Sequence, residues 1–404
     1  MEPIDRPDPA ASTDLRSQIL PLLILAGVFF FSFTSRIILA PMLLTIEADL
    51  RLGHAEAGTL FTYISSGVFV GLLGSGWLST WWAYRRTIFV STLLIGAAAI
   101  AVSLSHSPFR LRVSLCLLGF GAGLYFPSGI ATITGLVRRQ DWGKALAVHE
   151  LAPNLGFVLA PLLAELLMRS LSWRQIVVGL GAMSFVAALL FLATGRAGDV
   201  RADFTGSASP GDILGKGSFW IMALLFMLSV GGSLGVYTMA PLFLVTERGF
   251  EREAANQLVA LSRIPGVVMA LAAGWVVDRL GIKRSIGCFC ALTGLSTLMM
   301  GLDLGRLTPL AVTLQAILSV CFFPAGYAAL ARVVPLSQGA MTVALCSSMA
   351  ILAGAGILPS VLGFLAERGS FPIGFVAFGA LMTAAACLVP FVRFAPDLRD
   401  REGD

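Results

Sequence analysis

Long apolar runs constrain this chain more than any other feature. They cover residues 18–45, 55–79, 87–105, 111–137, 142–168, 174–194, 218–246, 255–278, 285–302, 307–333, 337–366 and 371–394. A helix rises 1.5 Å per residue, so about 20 apolar residues cross the hydrocarbon core of a bilayer. Lipid offers no hydrogen bonds, so each run must satisfy its own backbone, and an α-helix does this. The runs therefore predict an all-α membrane protein with twelve transmembrane helices. Composition agrees. Charged residues make up 13 % of the chain and mean hydropathy is +0.85, whereas a soluble domain carries about 25 % charge. A water-soluble globule is excluded.

An even number of spans puts both termini on one side of the membrane. Of the 28 lysines and arginines, 17 fall on the terminal side and nine on the opposite side, leaving Arg36 and Arg263 inside spans. All three lysines lie on the terminal side. Lys and Arg accumulate on cytoplasmic loops, so both termini are expected in the cytoplasm of a bacterial inner membrane. The net charge of +5 then reports loop charge and implies no nucleic-acid partner. Residues 1–17 and 395–404 read as cytoplasmic tails. The polar stretch 195–217 reads as a linker between helix sets at 18–194 and 218–394.

The two sets repeat. Ala40-Pro41 returns as Ala240-Pro241, Gly76-Trp77 as Gly274-Trp275, Phe126-Pro127 as Phe323-Pro324, and Pro161 as Pro359, all at offsets between 197 and 200. Four matches in order at nearly one offset imply two six-helix bundles related by a pseudo-two-fold axis along the membrane normal. That architecture places a binding site at the bundle interface near the midplane.

The second half also carries Gly274-Trp275-Val276-Val277-Asp278-Arg279-Leu280-Gly281-Ile282-Lys283-Arg284. This resembles the G-x-x-x-D-R-x-G-x-[KR]-[KR] signature of the major facilitator superfamily. The resemblance extends to the whole chain through the twelve helices, the repeat and the central linker. It implies secondary transport by alternating access. Gly274, Asp278, Arg279, Gly281, Lys283 and Arg284 would form a cytoplasmic latch holding the outward-facing state. Asp278 can meet a helix N-terminus or a cation of the other bundle, and Gly281 permits the tight turn. The first-half copy is degraded, with Thr80 in place of Asp and Ala83 in place of Gly.

Ionisable residues inside spans are costly and usually functional. Arg36 in the first helix and Arg263 in the eighth should lie about 15 Å and 13 Å from the outer ends of their spans at 1.5 Å per residue. The repeat replaces them with Val236 and Ser65 in the opposite halves, so the scaffold itself does not need them. His149 and Glu150 lie about 11 Å inside the fifth helix by the same rise. A guanidinium is a planar fork suited to carboxylate, phosphate or sulfonate. Arg36, just before Leu39-Ala40-Pro41, resembles the first-helix arginine of the anion:cation symporter and organophosphate branches. Arg263 resembles the eighth-helix arginine of monocarboxylate and oxalate carriers.

These residues predict a transporter of a small organic anion, coupled to protons. Arg36 and Arg263 would bind the anion, with Tyr63, Tyr237 and Asn154 adding polar contacts. Glu150, with His149, would carry the proton, and Glu150 should lean towards an arginine in the empty carrier. Two alternatives stay open: an efflux carrier for an apolar drug or lipid, and a transporter-like ligand sensor. No nucleophile–base motif, metal-ligand spacing or phosphate loop is evident, so no catalytic residue, metal or cofactor is expected. The six cysteines sit in or beside apolar runs and read as small buried residues. The expected partners are the anion, protons and the lipid bilayer, with a monomer as the working unit.

Overall fold

The computed structural model describes residues 15–194, 198–201, 210–335 and 338–395. The expected tails at 1–14 and 396–404, and linker residues 195–197 and 202–209, lie outside the described residues. The described residues contain helices and turns and no strand. Ten helices are long and apolar enough to span a bilayer: Ile19–Ile37, His54–Trp81, Tyr84–Ser103, Pro108–Leu136, Arg139–Met168, Trp173–Ala193, Gly217–Arg248, Gly305–Val333, Met341–Glu367 and Phe371–Phe391.

Two further spans complete the twelve. The eighth is broken into Arg252–Ser262 and Ile264–Leu280. Pro265 supplies no N–H to the turn before it, so the helix interrupts at Arg263. The ninth, Ile282–Gly301, is diluted by Lys283, Arg284 and several Ser, Thr and Gly residues. The first span continues through a turn into a short helix, Leu43–Leu50.

Each half packs mainly within itself: first on fifth and sixth, second on fourth, third on sixth, and ninth on twelfth. Between halves, the second helix packs along the eleventh, and the fifth along the eighth. These two seams exchange under the pseudo-two-fold. Large apolar side chains such as Val70, Leu189, Val268 and Ile373 are exposed around the outside. Apolar exposure on that many helices suits lipid contact rather than water.

Two helices carry a widened π-helical turn, Gly231–Gly235 in the seventh and Ile351–Ile357 in the eleventh. Such turns loosen the regular backbone ladder and are frequent at functional sites. Carbonyls from both turns accept side-chain hydrogen bonds: Gly232 from Gln315 at 2.7 Å, Ser233 from Arg263, and Gly356 from Thr62 at 2.8 Å.

Candidate transport cavity

The two ends of the bundle differ. One end, here the gate end, carries the loops at 51–53, 169–172, 249–251 and 368–370. The other, the tail end, carries the start of the first span and the close of the twelfth. Cross-half hydrogen bonds and ion pairs among the described residues lie at the gate end, or between Tyr237 and the fifth helix.

The gate has two seams. In one, the buried Glu165 carboxylate accepts from Arg252 Nε at 3.0 Å, Arg252 Nη2 at 3.3 Å and Asn256 Nδ2 at 2.6 Å. Asn256 also donates to the Pro41 carbonyl at 3.2 Å. Arg169 reaches Glu253 at 3.0 Å beside it, exposed. In the other seam, Gly58 lies against the Pro359 carbonyl and Gly363 against the His54 carbonyl, closer than any side chain would allow. Thr62 and Ser360 hydroxyls meet at 2.5 Å. Above them the Glu47 carboxylate sits 3.0 Å and 3.1 Å from His54 Nδ1. Glu367 reaches across from the eleventh helix to Gly53. Burial pushes the Glu47 carboxyl up from its ordinary value, with Glu367 adding to this and His54 opposing it.

Below the gate lies a cavity of about 180 Å³ between the halves. Phe29, Phe33, Phe61, Phe126 and Tyr327 give it aromatic walls, and Ser65, Thr238 and Ser347 supply hydroxyls. Arg36 is the charged residue in its lining among the described residues. Its Nε donates to the Ser32 carbonyl at 3.1 Å, and its guanidinium lies 5.4 Å from the Phe33 ring centre. No carboxylate among the described residues pairs with it. Its two terminal nitrogens make no hydrogen bond among the described residues.

Arg263 is placed differently. It is 5 % exposed and does not line the cavity. It donates to the Ser233 carbonyl, and it stacks 4.5 Å from Phe157 and 5.1 Å from Tyr237. Phe157 belongs to the other half, so Arg263 acts here as a cation–π bridge between the halves. Tyr237 is buried in the same bridge and donates to the Phe157 carbonyl at 3.2 Å. Tyr63 faces away from the cavity, under Arg112 at 5.7 Å. Asn154 donates at 2.7 Å to the Glu150 carbonyl of its own helix.

His149 is fully buried against the inner wall, stacked on Phe29 at 4.4 Å, with Nε2 3.0 Å from the Tyr125 hydroxyl. Glu150 is half-exposed and lies 3.7 Å from His149 Nδ1. Neither Arg36 nor Arg263 is its ion-pair partner, so the expected lean towards an arginine is absent in this conformation. Its carboxylate lies beside the ring of His149, its neighbour in the chain, instead.

The residues expected to form a latch lie at the tail end and make no cross-half hydrogen bond or ion pair among the described residues. Asp278 is exposed and makes no ion pair among the described residues. Arg279 lies 4.1 Å over Trp275, and Lys283 5.2 Å over Phe394. Gly281 has φ +80°, which explains glycine at that turn. Nothing approaches Gly274 closely here. The Glu165–Arg252–Asn256 lock was not singled out from the sequence. Its signal was available, since Glu165 and Asn256 are polar residues inside apolar runs.

Comparisons with known proteins agree with this architecture. The sequence model of the Major Facilitator Superfamily matches residues 25–302 and again 252–403. The protein named "Probable sulfoacetate transporter SauU" of Cupriavidus necator is 24 % identical over 412 aligned positions, covering 94 % of each chain. The 4-hydroxybenzoate transporter PcaK of Pseudomonas putida is 24 % identical, covering 68 % of this chain and 69 % of its own. Among solved structures, a peptide transporter POT in complex with sulfate superposes with a TM-score of 0.80 at 16 % identity, covering 96 % of this chain and 98 % of that one.

Proposed function

The chain belongs to the major facilitator superfamily, a family of transport proteins rather than enzymes, and on that premise we propose that it carries a small organic monoanion by proton-coupled alternating access. One observation carries this reading: a single guanidinium, unpaired with any carboxylate, faces a cavity otherwise lined by aromatic rings, aliphatic side chains and hydroxyls. Leaving such a charge unpaired in a low-dielectric site costs several kcal/mol by order of magnitude, and an anion offsets it. One cation balances one negative charge. The rings suit an apolar or aromatic body, and Arg36 with Ser65 and Thr238 suits its acidic head. The names of SauU and PcaK, carriers of small acids, support the class without fixing the member.

The positive-inside count puts the tail end in the cytoplasm, which makes this conformation inward-facing with the periplasmic gate shut. The proton is carried by the His149–Glu150 pair behind Phe29. A thermal-shift series on purified protein tests the substrate class. Benzoate should stabilise the protein. Its uncharged isostere benzamide should not, and terephthalate and acetate should do so less. Stabilisation by benzamide equal to that by benzoate would refute the anion reading and favour an efflux carrier for neutral apolar compounds.

A further inference from the structure

The Tyr125 hydroxyl makes two hydrogen bonds and has one hydrogen. It donates that hydrogen to the Leu25 carbonyl at 2.8 Å. Its second contact, at 3.0 Å to His149 Nε2, must therefore be one it accepts. The tautomer of His149 follows: Nε2 carries a hydrogen, and Nδ1 carries either a lone pair or a second proton.

Nδ1 is buried and has no hydrogen-bond partner. As a lone pair it is an unsatisfied buried acceptor, a state that costs free energy. As an N–H it would point at a carboxylate already 3.7 Å away. Glu150 is half-exposed. The empty position is thus a seat for one proton with its counter-ion beside it.

The surrounding charges fit. Tyr125 faces the ring from the fourth helix, and Tyr327 of the tenth lies within Coulombic reach of Glu150. From the first helix, Phe29 stacks on the ring with planes 2° apart and also lines the cavity. Arg36 is seven residues along that helix, two turns and about 10 Å away on the same face.

We propose that Nδ1 of His149 is the seat of the coupling proton and that Glu150 is its counter-ion rather than the carrier. The proposal rests on the symport reading above and names the atom that reading leaves open. An imidazolium is stabilised both by Glu150 and by an anion at Arg36, so proton and anion strengthen each other's binding, as linkage requires.

The chain has three histidines, so nitrogen NMR on protein labelled with ¹⁵N-histidine resolves the ring directly, without a ligand. His149→Gln assigns the signal and keeps an amide N–H for Tyr125. The expected result is the Nε2–H tautomer at high pH, converting to imidazolium on acidification. Glu150→Gln should require measurably more protons for the same conversion, because an opposite charge within about 4 Å is lost, an effect that exposure of the carboxylate to solvent reduces. In proteoliposomes loaded by a pH gradient, His149→Gln should exchange labelled benzoate but not accumulate it, while Glu150→Gln still accumulates it. An Nδ1–H tautomer, or a ring that stays neutral down to pH 5, overturns the proposal. So does gradient-driven accumulation by His149→Gln equal to the unmutated protein. If the ring titrates as described and the unmutated protein shows no gradient-driven uptake, the symport reading falls and the proton seat stands.

Discussion

Replacing Glu165 with Gln should open the gate measurably. The carboxylate is 7 % exposed and receives three hydrogen bonds from the opposite half, two from Arg252 and one from Asn256. Hydrogen bonds to a charged group are each worth about 1.5–3 kcal/mol. The Arg252 side chain is 44 % exposed, and solvent screening reduces its share sharply. Gln retains shape and can still accept from Asn256. A net loss of about 2 kcal/mol in the gate-closed state remains, and at 1.4 kcal/mol per factor of ten this is about a thirtyfold shift in the closed-to-open ratio. Spin labels at Leu171 and Glu251, both exposed gate-end positions on opposite halves, report it by pulsed electron–electron resonance. A longer-distance population should grow in Glu165→Gln. Arg169→Gln is the control, because the Arg169–Glu253 pair is exposed on both sides and such pairs contribute little. An unchanged distance distribution in Glu165→Gln, or an equal shift in both variants, would refute the lock.

Arg36→Lys keeps the charge and loses the fork, so calorimetry should show benzoate binding weakened about tenfold; the same change at Arg263 should leave the dissociation constant within about threefold, since Arg263 does not line the cavity. Asp278→Asn removes a group that engages only when the gate opens, so initial transport rates should fall while equilibrium binding holds; weakened binding at an unchanged rate would contradict the latch role. Burial raises the Glu47 carboxyl in the gate-closed state relative to a solvated one. The proton therefore favours closure: its contribution is full below the ordinary carboxylate range and disappears as pH rises through the raised value. The spin-label distances should lengthen over that interval, and Glu47→Gln should flatten the response.

The spans were legible because lipid forces one solution on an apolar run. Even the break at Arg263 was written in Pro265, although the uninterrupted run 255–278 concealed it. Depth along a helix was legible too, which is why Arg36 and Arg263 both pointed to the midplane. Azimuth was not. A seven-residue spacing fixes that Phe29 and Arg36 share a face, but which face meets the other half depends on packing from several helices. Tyr63 sits at the right depth on the wrong face, next to Ser65, which lines the cavity. Arg263 turned away for a related reason. The π-helical turn at Gly231–Gly235 presents the Ser233 carbonyl to it, and Phe157 approaches from the opposite half. Neither event leaves a local mark at position 263.

The first helix joins the three working parts. Its Leu25 carbonyl anchors the Tyr125–His149 pair, its Phe29 lies flat on the histidine ring, and its Arg36 faces the cavity. Beyond its end, the Pro41 carbonyl accepts from Asn256, which also holds Glu165 in the gate lock. On the proposed function, proton seat, anion site and gate would thus share one helix and its extension to Pro41, about 25 Å long at 1.5 Å per residue. A helix that must fit an imidazole at one end and a cross-half hydrogen bond at the other has few intermediate placements, because packed interiors switch rather than deform. Contiguity of this kind is a physical route for coupling and becomes evidence of coupling only when both sites bias the same two states. The asymmetry of the repeat gives that route a direction. The second half has Val236 where the first has Arg36, and its own Arg263 bridges to Phe157 of the first half, so on the proposed function ligand charge would be sensed by the first half and answered across the gate by the second.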